Sequence, residues 1–269
     1  MRKIGLCLAG GGARGAYQIG ACKALEDLGI LSNVYAFSGT SIGSVNACLI
    51  STMKPDEVGK IWFSISPDLL KKTENIFKTI IKERMEFKES GFFEIGELEK
   101  MLISHLDVDK LRKQKVFVTL SEGGAAFEGI FGLIKASYQH YIKKDSKVVY
   151  SPINKIKDEK MVYKQILASC SIPLIFAPTE LGDHQYYDGG VYDNVPIKPL
   201  VDAGCDTVIV IHLHKIHFVD RNRFPNIKIL EIETKEHLGG ILNFDPEKSK
   251  KIFDFGYQDT IKFFDNHFF

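Results

Sequence analysis

No basic tract, no C-x-x-C pair, no low-complexity stretch and no fixed-period repeat occurs in this 269-residue sequence. Each absence removes a class of protein. The 35 basic and 34 acidic side chains leave a net charge of +1, with no basic excess to displace counterions from phosphates, so no nucleic-acid partner is expected. The five cysteines (Cys7, Cys22, Cys48, Cys170 and Cys205) are odd in number and scattered among apolar neighbours. They read as small core residues of a reduced, cytoplasmic protein rather than as a disulfide framework. Arg2 and Lys3 precede an apolar run that ends at Ala9, too short for the core of a secretory signal, although export without a cleaved signal stays open. With 45% apolar residues the chain can bury a sizeable core, which excludes disorder.

Charge is also missing locally. Residues 28–53 form 26 consecutive positions without a charged side chain, whereas residues 71–115 carry 20 charges in 45 positions. The first stretch is long enough to suggest a membrane span, yet it contains Ser32, Asn33, Ser38, Thr40, Ser41, Ser44, Asn46, Ser51 and Thr52 and three glycines. A strand and helix inside a globular core fit it better.

What is present reads as two βα units in succession. Ile4 to Ala9 is a short apolar strand; after a glycine cluster, Ala16, Ile19, Gly20, Ala24, Leu25 and Leu28 recur at helical spacing, and Gly29 suits a helix stop. Val34 to Ser38 is a second strand, followed by a glycine turn and a helix lined by Ile42, Val45, Leu49 and Met53. The expected class is therefore α/β, three-layered, with a mostly parallel central sheet flanked by helices. Further strands are expected at 116–120 and 207–213. Helices are expected across 62–112, with an apolar face of Phe92, Phe93, Ile95, Leu98, Met101 and Leu102, and from 246 to about 264. Phe263, Phe264, Phe268 and Phe269 either pack back on the core or touch lipid.

Gly10, Gly11, Gly12, Ala13, Arg14 and Gly15 follow the first strand and open the first helix, giving the literal pattern G-x-G-x-x-G. Glycines let the backbone approach an anion, and helix-end N–H groups favour negative charge. A dinucleotide site would also place an acidic residue at the end of the second strand. None occurs between Asp27 and Asp56.

That strand leads instead into Gly39, Thr40, Ser41, Ile42 and Gly43, a G-x-S-x-G whose serine sits between strand and helix. Such an elbow exposes Oγ near a helix N-terminus. Consecutive parallel strands end on one sheet edge, so the amides of Gly11 and Gly12 can stand beside Ser41 and bind the oxyanion of a tetrahedral intermediate. Arg14 either adds positive charge there or pairs with a surface carboxylate.

A serine nucleophile needs a base. His212, His214 and His217 follow the other motifs in triad order, but His212 and His214 alternate with Ile211 and Leu213 on one expected strand, where a structural role or a weak metal site is the plainer reading. Asp188 stands before Gly189 and Gly190, after an aromatic strand, where the glycines allow close approach. Asp183 and Asp193 are rival acids that turn capping or an ion pair would equally explain.

These motifs together resemble the patatin-like phospholipase family, in its short bacterial form. The resemblance lies in the Gly10 to Gly15 loop, the Gly39 to Gly43 elbow, Asp188-Gly189-Gly190, the Ala-Ser-x-x-x-Pro block from Ala168 to Pro173, and the run from Val191 to Pro196. It spans residues 3–213, leaving 214–269 as a C-terminal extension on the same domain. It implies a Ser-Asp dyad without histidine, with Ser41 as nucleophile and Asp188 as general base, and oxyanion donors in the glycine loop. It implies lipid acyl hydrolysis of the phospholipase A or lysophospholipase type, with no cofactor and no metal.

Two other readings stay open: acyl transfer through the same acyl-serine, and a non-catalytic lipid- or nucleotide-binding module. The expected partner is a phospholipid or other lipid ester, met in transient contact with a membrane surface. Phe77, Ile80, Ile81, Met85 and Phe87, beneath Lys78, Lys82 and Arg84, form either a lipid-facing edge or an ordinary amphipathic packing face. Oligomeric state is not legible.

Overall fold

The computed structural model describes residues 2–65, 96–122, 148–171, 179–182, 184–215 and 219–266. Its centre is a sheet built from β1 (Ile4–Leu8), β2 (Val34–Thr40), β3 (Val116–Glu122), β4 (Val148–Pro152), β5 (Thr179–Leu181), β6 (His184–Asp188), β7 (Thr207–Ile211) and β8 (Lys228–Ile232). The order is β5-β6-β3-β2-β1-β7-β8, with β4 also paired to β3. From β3 to β8 along this path every pairing is parallel, while β4, β5 and β6 pair antiparallel. The expected mostly parallel sheet flanked by helices is the one observed.

The helices are α1 (Ala16–Asp27), α2 (Ile42–Ile50), α3 (Pro55–Ser64), α4 (Gly96–His105), α5 (Val108–Leu111), α6 (Glu159–Ser169), α7 (Lys198–Asp202) and α8 (Pro246–Asp265). Strand alternation divides the core into two layers. Leu6, Leu8, Ile209 and Ile211 face a large cluster that includes Tyr17, Leu25, Val45, Leu49, Trp62 and Ile166. Cys7, Val208 and Val210 face a smaller one with Ile197, Leu200 and Cys205. All five cysteines are buried and unpaired, with thiols that burial alone or chiefly holds protonated.

The pairings of β3 bring the site together. β4 covers one edge of β3 from Phe117 to Ser121, so β2 and β6 must share the other. β2 runs along it in parallel and ends with Thr40 opposite Thr119; β6 runs antiparallel and ends with Asp188 opposite Leu120. The C-terminal ends of β2 and β6 thus meet head to head over adjacent residues of one strand.

One expectation needs correction. β7 stops at Ile211, not Leu213. The His212 amide bonds the Ile232 carbonyl and the chain then bends away, so His212 and His214 do not alternate on a strand. The helical stretch expected across 62–112 contains the end of α3 together with α4 and α5, while residues 66–95, including Phe92, Phe93 and Ile95 and the segment around Phe77 to Phe87, lie outside the described residues. So do His217, Asp183, Ile172, Pro173, Phe268 and Phe269. Phe263 and Phe264 pack edge to face, centroids 5.1 Å apart, half-buried against the core.

Candidate active site

Ser41 follows the last residue of β2 and precedes the first of α2. It has φ 55° and ψ −128°, and among the described residues it is the one non-glycine residue with positive φ. That conformation strains a side-chain-bearing residue and persists only where the surroundings over-determine it. The flanking glycines show how tightly they do so. A Cβ on Gly39 would lie 2.2 Å from the Gly43 carbonyl oxygen, and one on Gly43 would lie 2.1 Å from the Leu8 carbonyl oxygen. The sequence thus needs glycine at both positions for α2 to start this close to β1.

Asp188 ends β6 and caps the short 3-10 turn of Gly189–Val191, its Oδ1 accepting the Gly190 N–H at 2.7 Å. Ser41 and Asp188 are each 7% exposed. Burial raises the Asp188 carboxyl from the ordinary 3.8 to about 6; the neighbouring Ser41 hydroxyl and the Gly190 amide, which favour the carboxylate, pull in the opposite direction. A buried carboxyl beside a hydroxyl on a strained elbow can accept that hydroxyl's proton near neutral pH.

The glycine loop is narrower as an anion site than its six residues suggest. The amide of Gly10 bonds the Asn194 carbonyl, that of Ala13 bonds the Ile241 carbonyl at 2.7 Å, and that of Arg14 turns back to Gly11. Gly11 and Gly12 are left as the candidate donors, and Gly15 serves packing: its carbonyl accepts from Asn46 and a Cβ there would strike Trp62. Arg14 meets no carboxylate among the described residues, contrary to one of its two expected roles. Its guanidinium donates to the carbonyls of Gly239 and Leu213 and lies 2.9 Å from His214 Nδ1, stapling the C-terminal segment to the loop. A pocket of about 290 Å³ lies beside it, lined by residues that include His214, Lys215 and His237 but neither Ser41 nor Asp188.

The rival groups among the described residues are committed elsewhere. His212 is buried with Nε2 3.0 Å from Glu231, which also binds Arg221. Asp193 Oδ2 accepts from the Tyr150 hydroxyl at 2.5 Å and its Oδ1 from the Val195 amide, which is turn bracing. Its carbonyl accepts from Thr40 Oγ1, and that of Pro196 from Ser38 Oγ, so the run after Asp188 is laced to β2. Among the described residues no three His, Cys, Asp or Glu side chains are placed to hold a metal ion.

Sequence reading missed a buried polar network behind the two turns. Gln18 Nε2 donates to the Ala9 carbonyl at 2.7 Å; Asn46 Nδ2 bridges Gly15 O and Gln18 Oε1; Trp62 Nε1 completes the set on Asn46 Oδ1. It ties the glycine loop to α2. The one available signal was a Gln and an Asn standing on otherwise apolar helix faces.

Comparison with known proteins identifies the family and the fold. The model of the family described as patatin-like phospholipase matches residues 6–201. Lysophospholipase NTE1 of Cryptococcus neoformans var. neoformans is 28% identical over 222 residues, 80% of this chain but 11% of that protein's length. "Probable lipid hydrolase 463L" of Invertebrate iridescent virus 6 is 25% identical over 207 residues, 71% of this chain and 61% of its own. Among solved structures, VipD from Legionella pneumophila superposes with a TM-score of 0.50 at 14% identity, covering 99% of this chain and 67% of VipD.

Proposed function

Because the chain belongs to the patatin-like phospholipase family, we propose that it is a serine lipid acyl hydrolase working through a Ser41–Asp188 dyad. The observation that carries this reading is the strained Ser41 with the buried carboxyl of Asp188 beside its hydroxyl.

Asp188 takes the Ser41 proton as Oγ attacks the ester carbonyl, and the Gly11 and Gly12 amides stabilise the oxyanion. As the tetrahedral intermediate collapses, the bond to the alcohol breaks and Asp188 returns the proton to that leaving oxygen. Water then attacks the acyl-serine, giving its proton to Asp188; expulsion of Ser41 Oγ, which regains that proton, yields the fatty acid and the free enzyme. The placement of Asp188 beside Oγ sets base and nucleophile close together before substrate arrives, which is the entropic part of the acceleration. The step needs only these side chains and water. The substrate class is a phospholipid or lysophospholipid, reached in transient contact with a lipid surface; among the described residues no helix is long and apolar enough to cross a membrane.

Ser41→Ala and Asp188→Asn test it on a short-chain nitrophenyl ester, on phospholipid vesicles and on lysophospholipid. Loss of the base alone should lower turnover by about 10²–10⁴. Ser41→Ala should also abolish covalent labelling by a fluorophosphonate. Either variant, folded and turning over near the wild-type rate, would sink the dyad.

A further inference from the structure

We infer that Ser169 is a positioning residue for Ser41, and that the single turn ending α6 holds both halves of the dyad in register. The inference rests on the reading of Ser41 and Asp188 given above.

The Ser41 amide has no partner in regular structure. β2 has ended at Thr40, and as the residue capping α2 Ser41 offers that helix its carbonyl, to Ser44 and Val45, rather than its N–H. The partner comes from another layer: Ser169 Oγ accepts the Ser41 N–H at 3.0 Å. Ser169 is fully buried, and the same oxygen donates to the Thr119 carbonyl at 2.7 Å and lies 2.8 Å from Ser44 Oγ. Ser44 Oγ also reaches the Gly39 carbonyl at 2.7 Å, so the two hydroxyls share their two protons among three contacts; in every arrangement Ser169 Oγ keeps a lone pair for the Ser41 N–H and is held by Thr119 and Ser44 on its other sides. Two residues on, the Ser171 carbonyl accepts the Asp188 N–H at 2.9 Å.

One turn therefore bonds the backbone amides of both Ser41 and Asp188. It is itself anchored to β3 at Thr119, next to Leu120, which pairs with Asp188. A strained nucleophile is kept at its angle by such over-determination. Without the Ser169 hydroxyl, a buried N–H loses its partner, the elbow can relax, and Oγ turns away from the carboxyl. Substrate binding does not pass through Ser169, so the effect belongs to the rate of acylation and not to affinity.

The experiment is Ser169→Ala, with Ser169→Cys as a variant that keeps the buried volume but accepts hydrogen bonds poorly, and Ser169→Thr as the variant that keeps the hydroxyl. In Ala and Cys forms, kcat on the nitrophenyl ester and the rate of fluorophosphonate labelling at Ser41 are expected to fall at least tenfold, with KM within twofold. Ser169→Thr should recover most of both rates. Rates are normalised to folded protein by circular dichroism. The inference is overturned if the folded Cys or Ala form labels at the wild-type rate, or if KM rises while kcat holds. If instead Ser41→Ala is still labelled, it is the dyad reading that fails.

Discussion

The two glycine turns follow neighbouring parallel strands and end on one edge of the sheet, yet glycine answers a different problem in each. In the elbow, the space a side chain would need is filled by backbone: the Gly43 carbonyl stands over Gly39 and the Leu8 carbonyl over Gly43. In the first loop, part of that space is filled by side chain. A Cβ on Gly11 would meet Leu213, while Gly12, with φ 58°, faces the Ile241 carbonyl. The elbow is thus a local device, closed by residues within a few positions of Ser41 and by the adjacent strand. The loop is a long-range device, shaped by segments about 200 residues further along the chain and stapled to them through Arg14.

The largest effect should come from closing the elbow. Gly43→Ala drives a Cβ to 2.1 Å from the Leu8 carbonyl and 2.7 Å from that of Ala9, contacts that backbone cannot yield without moving α2 off β1. We expect fluorophosphonate labelling to fall more than about 100-fold, the scale on which a misplacement of an ångström acts on a catalytic group. Labelling at the wild-type rate in folded Gly43→Ala would show the elbow to be looser than the geometry requires.

The same contrast governs what was legible in the sequence. Ser41 and its glycines declare themselves within five residues, because strand, turn and helix are all local. Asp188 was legible through its two glycines and the family resemblance, but not the reason it reaches Ser41, which is that β2 and β6 share an edge of β3. That depends on three strand pairings that no local pattern encodes. Ser169 was visible as part of a motif, without the bonds that give it a purpose. In the glycine loop the amides of Gly10 and Ala13 are satisfied by Asn194 and Ile241, which arrive from far away in sequence, and that of Arg14 by Gly11, and no local pattern announces the first two. The end of β7 was misplaced for a similar reason, because Leu213 leaves the strand line to pack beneath Gly11.

The buried charge of Asp188 stands against the elbow and not against the glycine loop, and this separates the two turns by pH. Asp188, raised to about 6 by burial, must be ionised to act as a base. We expect kcat/KM to fall about tenfold per pH unit below that value and to level off above it. Stability runs the other way. An acid whose folded value exceeds its unfolded 3.8 binds its proton more tightly when folded. The cost of the carboxylate is therefore absent below about pH 3.8, grows through the interval to 6, and is complete above it. Asp188→Asn should accordingly be more stable than wild type at pH 8, by up to ~3 kcal/mol, and lose that advantage towards pH 4. Urea denaturation at the two pH values measures it; equal stability at pH 8 would mean that the carboxyl is better solvated than its 7% exposure implies.

The smallest effect, and the sharpest test of local against long-range, lies at Gly11. Its φ of 170° lies outside the left-handed region that favours glycine, so the test of alanine there is one of space. What alanine meets is Leu213, with its Cβ at 2.5 Å and Cδ1 at 2.7 Å. Overpacking of this kind typically costs about 1–3 kcal/mol. Shortening the neighbour to alanine would leave the closer of the two contacts in place, since that contact is with Cβ itself. Only Leu213→Gly removes both. In a double-mutant cycle, Gly11→Ala should therefore cost nearly its full amount beside Leu213→Ala and much less beside Leu213→Gly, with the coupling read from denaturant midpoints. No equivalent partner exists for Gly43, whose obstacle is a main-chain carbonyl. Equal cost of Gly11→Ala in all three backgrounds would mean that the loop, like the elbow, is closed by its own backbone.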